Sequence, residues 1–348
     1  MGARGEPGGG EATRELVPRR APALQAEGTP AEGARLTATC LINHYDYGRY
    51  VERAIASALA QTRPFDEIVV VDDGSDDGSR EALRRRWGAD ARVTLIEKPN
   101  QGQLSAFNVG FERSAGDVLF FLDADDEYEP EMLARVLRAY EEHPRFDFTV
   151  CAHTLFGERE GVVRLFERDT DLGFSAVLAL SGSLKKLWIS PTSTLSMRRR
   201  VLELVLPVPY LEEWRVRADD CLTIGSSLAG ARKLYLAQPL VRYRVHAANR
   251  FHGRAHDLDY DYRRHLALRR LMCFFLRRMD LGDDLWTLAR RELETIPRPR
   301  LAQLRAYARI VWRSRGPLAA KLSQVRAMLR HTLRRRLRAA PEGPLPHA

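Results

Sequence analysis

The stretch DEIVVVDDGSDDGS, residues 66 to 79, decides the fold. Its continuous apolar run Ile68 to Val71 reads as a strand buried on both faces, and Asp72 with the Gly-Ser segment after it reads as the turn that ends it. Upstream, LTATCLIN (36 to 43) is a second β-prone run, followed by YVERAIASALAQ, where Val51, Ile55, Ala58 and Leu59 recur at helical spacing. Downstream the alternation continues. SREALRRRWG is a short helix ending at Gly88, RVTLIEKP a strand bounded by Pro99, and QLSAFNVGFERS a helix. GDVLFFLDADD (116 to 126) is another apolar run too short for a helix, and PEMLARVLRAYEEH a helix that Pro130 can begin. Apolar strands alternating with helices predict an α/β fold with a mostly parallel sheet covered by helices on both faces.

Beyond residue 146 the pattern is weaker. FDFTVCAHTLF and KLYLAQPLVRYRV read as strands, with helical segments near Ser175 to Leu180 and Ala218 to Ala229. After His256 the chain reads as helix, broken at Pro297, Pro299 and Pro317. Residues 1 to 34 are rich in Gly, Pro, Ala and Glu and lack hydrophobic periodicity, so a flexible leader is expected there. The expected organisation is therefore a leader (1–34), an α/β domain (35–255) and a helical, basic C-terminal region (256–340).

The 348 residues suffice for one large domain with appendages, and 45% hydrophobic with 29% charged residues is ordinary for a globular chain. The formal net charge is +9. The excess lies mostly at the C-terminal end, where no Asp or Glu occurs between Glu294 and Glu342 while arginines recur throughout. Cys40, Cys151, Cys221 and Cys273 are far apart and form no CxxC pair, which predicts reduced core thiols rather than a zinc site or disulfide framework. Neither a run of about 18 apolar residues nor a basic-then-apolar leader is present, so the expected location is cytoplasmic, or peripheral on the cytoplasmic face of the inner membrane.

In doubly wound sheets ligands bind at the carboxyl ends of strands, so the polar clusters there are the functional candidates. They are Asn43-His44-Tyr45-Asp46-Tyr47, the Asp72-Asp73 loop, and Asp123-Ala124-Asp125-Asp126. Two carboxylates one residue apart crowd like charges unless a cation compensates them, and oxygen ligands select Mg²⁺ or Mn²⁺. The structural alternative is an acidic turn capping the next helix. For Asp76, Asp77 and Gly78 a turn role accounts for the residues.

Taken together, VVVDDGSDDGS, the Asn100-Gln101-Gly102 segment before a helix, and DADD about fifty residues after the first motif resemble glycosyltransferase family 2, inverting enzymes of the GT-A fold. The resemblance runs from Leu36 to Asp126 and returns at RADDCLTIGSSLAG and PLVRYRVHAAN. It implies a metal-dependent enzyme that moves one sugar from a nucleotide-sugar, a UDP-sugar foremost, to a hydroxyl of a glycan or lipid-linked acceptor in bacterial polysaccharide or glycoconjugate synthesis.

The site residues it implies are the following. Asp72 and Asp73 lie beside the base and ribose, with Asn43, Tyr45 and Gln101 as further donor contacts. Asp123 and Asp125 hold Mn²⁺ or Mg²⁺ against the donor diphosphate, with His246 as a further ligand, while for Asp126 a capping role stays open. Asp219-Asp220 occupies the position of the catalytic base, and Asp220 is the first choice with Asp219 the alternative. Neither the QxxRW motif nor the membrane helices of processive synthases are present.

Two other functions stand beside this one. A nucleotidyltransferase also combines a metal, carboxylates and an α/β sheet, but it would carry a Gly-rich basic loop where this chain has NHYDYGRY. A silent nucleotide-sugar-binding, membrane-associated scaffold would not need the intact carboxylates. In the tail, Leu322, Val325, Leu329 and Thr332 or Leu333 fall on one helical face with Arg326, Arg330 and Arg334 adjoining. Such a helix either rests on an anionic membrane surface or packs on the domain with a solvated arginine face. No nucleic-acid module accompanies the charge, so nucleic acid is not an expected partner.

Overall fold

A computed structural model describes residues 35–183, 190–247, 257–314 and 316–337. The expected leader and the boundary near residue 255 lie outside the described residues. The first half alternates as the sequence predicts: β1 (Ala38–His44), α1 (Val51–Leu59), β2 (Glu67–Asp72), α2 (Ser79–Trp87), β3 (Val93–Glu97), α3 (Gln103–Glu112), β4 (Val118–Asp123), a short β5 (Glu127–Tyr128) and α4 (Met132–Glu142). The second half holds β6 (Phe148–Gly157), β7 (Gly161–Val163), β8 (Thr170–Gly173), α5 (Ala176–Leu180), β9 (Leu195–Arg198), α6 (Arg199–Val205), α7 (Asp219–Leu228) and β10 (Lys233–Val245). The C-terminal helices are α8 (Leu258–Arg278), α9 (Ala289–Glu294), α10 (Leu301–Arg313) and α11 (Leu318–Leu337).

Ten strands form one sheet in the order β3-β2-β1-β4-β9-β6-β10-β5, with β7 beside β6 and β8 beside β10. The strands β3, β2, β1 and β4 are mutually parallel, and β6 runs parallel to β10. Between these blocks β9 is antiparallel to both β4 and β6, so the sheet is mixed. Helices cover both faces. One core cluster packs α1 and α4 on one side, and the other joins α3, α5, α6 and α7 to the C-terminal helices.

This topology fixes where a ligand can sit. The strand order reverses at β1, with β2 placed on one side and β4 on the other, and such switch points leave a crevice outside the carboxyl ends. The register places Asn43 beside Asp123 and His44 beside Asp72, at the mouth of that crevice. Further along the sheet, β10 bends at Pro239, where the missing N–H interrupts its ladder with β6. Past the bend it pairs with β5, which brings Arg244 and His246 toward the acidic end of β4.

The C-terminal helices are more than an appendage, because Leu271, Phe275, Leu293, Tyr307 and Met328 are buried in the same core as α7. The buried Glu292 of α9 accepts backbone N–H bonds from Val177 at 2.8 Å and Leu178 at 3.2 Å, and a hydroxyl bond from Tyr307 at 2.7 Å. Burial raises its pKa despite these donors. Three of the four cysteines are buried as expected, whereas Cys273 is exposed, because it lies on the outer side of α8.

Candidate functional site

Asp123, Asp125 and Asp126 close the apolar strand β4, and one carboxylate oxygen from each lies within 4.8 Å of the others. The backbone returns sharply here, with the Asp126 N–H donating to the Asp123 carbonyl at 3.0 Å. Burial, and then the charge of Asp125, pushes the Asp123 carboxyl up to about 7. Asp126, also buried beside Asp125 and Asp123, is raised well above the carboxylate range. Packing acidic groups together in a desolvated place makes Asp123 and Asp126 resist ionisation, and a divalent cation relieves that repulsion. The hard oxygen donors fit Mg²⁺ or Mn²⁺.

Neighbouring groups hold each carboxylate in place. Asn43 and Gln103 donate to Asp123, the latter at 3.0 Å. Ser193 donates to Asp126 Oδ2 at 2.6 Å while its own oxygen accepts the Asp123 N–H at 3.1 Å. Arg244 donates its backbone N–H to Asp126 Oδ1 at 2.8 Å, its Nε to the Asp125 carbonyl at 2.8 Å and a terminal nitrogen to Glu127 at 2.7 Å. His246 Nε2 lies 3.0 Å from Asp125 Oδ2, with the Tyr50 and Tyr47 rings 5.0 and 5.7 Å from the imidazole. The structure thus brings Asn43, Asp123, Asp125 and His246 to one place and adds Asp126 to it.

The Asp72-Asp73 loop lies on the β2 side of the crevice, and its carboxylates hold loops. Asp72 accepts from Arg80 Nε at 2.9 Å and from the Ser75 N–H at 3.3 Å. Asp73 pairs with Lys98 and accepts the N–H groups of Gln101 at 2.9 Å and Gly102 at 2.6 Å. Gln101 contributes its backbone to this loop, and its side-chain oxygen accepts from Ser105. Tyr45 follows β1 at the same crevice. Asp77 holds the turn as expected, accepting from Ser79 and from the Gly48 N–H at 2.9 Å. Asn108 serves packing, exchanging two hydrogen bonds with the Val208 backbone.

Glycine is required where two of these loops meet. Gly102 has φ +92°, and a Cβ there would stand 2.3 Å from Arg215 Cα. That close approach lets Gln103 N–H donate to the Arg215 carbonyl at 2.9 Å, tying α3 to the segment that leads into α7. Gln103 then bridges the two halves of the site, since its side-chain oxygen accepts the Ala218 N–H at 3.0 Å while its amide serves Asp123.

Asp219 and Asp220 stand in the first turn of α7, and their environments differ. Asp220, the first choice from sequence, is 1% exposed and pairs with Arg264 of α8, with Arg217 at 3.6 Å. The Arg264 guanidinium lies 4.0 Å from the Trp214 ring centre. Asp219 is only partly buried and acts electrostatically on Asp123, raising its pKa. Sequence reasoning missed Gln103, Arg244 and Arg264, for which no motif signalled a role, and it claimed no role for Ser193.

The fold and site define an α/β protein with a cluster of three carboxylates, able to hold a metal ion, at a topological switch point. Residues 39–203 match the family model described as glycosyl transferase family 2. An uncharacterized glycosyltransferase of Nostoc sp. is 36% identical over 213 residues, which cover 60% of this chain and 65% of that one. The chondroitin synthase of Pasteurella multocida is 29% identical over 132 residues, 37% of this chain and 14% of the relative. The chain therefore spans less than two thirds of the length of either relative. In fold it is similar to S. aureus TarS 1-349 in complex with UDP-GlcNAc, with a TM-score of 0.55, 16% identity, and coverage of 87% of this chain and 92% of that one.

Proposed function

We propose that the chain is an inverting glycosyltransferase that moves one sugar from a UDP-sugar to an acceptor hydroxyl in bacterial polysaccharide or glycoconjugate synthesis. The carrying observation is the cluster of Asp123, Asp125 and Asp126 at the end of β4 in a family 2 sheet. The UDP preference rests on TarS, whose structure contains UDP-GlcNAc, and the biosynthetic setting on relatives such as the chondroitin synthase.

Asp123, Asp125 and His246 hold Mn²⁺ or Mg²⁺, with Asp126 behind them kept in place by Ser193 and Arg244. A divalent ion bound there would neutralise charge on the departing nucleoside diphosphate. Asn43, Tyr45 and Gln101 line the donor side of the crevice. A carboxylate offers about four acceptor positions, so Asp72 and Asp73 can take ribose or base donors while still holding their loops.

The base is Asp219 in this reading, and Asp220 positions it. A general base must reach the acceptor hydroxyl, and a buried carboxylate engaged by Arg264 and Arg217 is badly placed for that. Asp219, partly exposed on the same helical turn, faces the Asp123 side across Gln103.

The test is calorimetric binding of UDP-, GDP-, dTDP- and CDP-sugars, with and without Mn²⁺, to the wild type and to Asp125→Ala. Metal-dependent binding of UDP-sugars, lost in the variant, is the expected result. Binding that ignores both metal and Asp125 would overturn the assignment.

A further inference from the structure

We infer that α11 is a membrane-docking helix whose exposed leucine row and flanking arginines sit on a bilayer carrying anionic lipid headgroups. The helix carries two apolar faces. One is consumed by the protein: Met328 and Thr332 are fully buried and Val325 packs against the main core. This divides the single face expected from sequence, because Thr332 and Val325 turn inward whereas Leu322, Leu329 and Leu333 do not.

The second face remains open. Leu318, Leu322, Leu329 and Leu333 are 60, 39, 43 and 46% exposed, and at about 100° per residue they fall within a narrow stripe of the helix. Arg326, Arg330 and Arg334 follow along one edge of that stripe, and all three are exposed. Trp312 at the end of α10 is 53% exposed, and its carbonyl accepts from Lys321 of α11 at 3.1 Å, so an interfacial aromatic stands beside the start of the row.

Charge selects the occupant. No acidic residue lies between Glu294 and Glu342, so no carboxylate from α10 or α11 offsets the arginines around this face. Apolar side chains in a stripe, basic side chains along its edge and a tryptophan at its end match the layering of a bilayer surface, where hydrocarbon lies beneath anionic headgroups. A second copy of the chain would bring the same positive charge to the contact and be repelled by it.

The experiment is flotation of the full-length protein with phosphatidylcholine vesicles and with mixed phosphatidylglycerol–phosphatidylcholine vesicles. The wild type is expected on the mixed vesicles alone and to be released by salt. Arg326→Gln/Arg330→Gln/Arg334→Gln should weaken binding on the order of 100-fold, at about 1 kcal/mol for each basic residue near the surface. Leu322→Ser/Leu329→Ser/Leu333→Ser should weaken it at least tenfold while keeping the wild-type denaturation midpoint, since these side chains are outside the core. Failure of the wild type to bind the mixed vesicles overturns the proposal, as does undiminished binding by the leucine variant. A wild-type dimer in sedimentation that the leucine variant converts to monomer also overturns it, in favour of self-association. These readouts need no sugar transfer, so they stand or fall separately from the enzymatic reading.

Discussion

Replacing Asp219 and Asp220 separately by Asn separates a catalytic from a structural carboxylate. Asp220 is 1% exposed and paired with Arg264, whose side chain is itself 11% exposed, so Asp220→Asn leaves a guanidinium largely buried without its counter-charge. Burial already pulls the Arg264 pKa down to about 10, with Arg217 as the next cause. Breaking a buried pair by removing one partner costs about 3–5 kcal/mol, and that loss is expected in urea denaturation of Asp220→Asn. Asp219 is partly exposed in the first turn of α7, where its interaction with the helix dipole is worth at most about 1 kcal/mol. Asp219→Asn should therefore fold nearly as well as the wild type. It should bind donor unchanged yet release UDP from UDP-sugar, in the presence of acceptor, about 10²–10⁴ times more slowly, the range for loss of a general base. Denaturation and donor turnover measured side by side decide the matter. An Asp219→Asn enzyme with wild-type turnover, together with an Asp220→Asn protein of wild-type stability, would refute the reasoning.

Gly102→Ala should lose more than about 2 kcal/mol of stability and bind nucleotide-sugar poorly, because its Cβ would stand 2.3 Å from Arg215 backbone at φ +92°; denaturation and calorimetry check both. Burial lowers the His153 pKa from 6.5 to about 4. The unfolded chain therefore binds a proton at His153 below pH 6.5 that the folded chain refuses, and stability falls by up to about 3 kcal/mol as pH drops from 6.5 to 4. Comparing wild type with His153→Gln across that window measures the loss, and NMR titration should show a neutral imidazole at pH 5 to within about a unit of the stated midpoint.

The strand-turn-helix punctuation of residues 35–126 was legible because the apolar runs of β1, β2 and β4 are buried along nearly their whole length, while β3 at the sheet edge is only partly covered. The second half was less legible for a physical reason. β9 is four residues long and antiparallel between two parallel blocks, and β10 is broken by Pro239, so neither shows the periodicity of an unbroken strand. At the site, Asp123, Asp125 and His246 were visible as motif residues. Gln103 was hidden because it is one polar residue in a helix, and its bridge between Asp123 and Ala218 exists only after α3 meets α7.

By itself, then, the sequence determined the alternating α/β order and the acidic end of β4, because these follow from local patterns of hydrophobicity, turn chemistry and spaced carboxylates. Only the tertiary structure showed that Asp220 is buried against Arg264, which lies 44 residues from it in the chain. It alone set the packed Val325, Met328 and Thr332 of α11 apart from its open leucine row. Burial is a property of what lies opposite a side chain, and helical periodicity names a face without naming its partner.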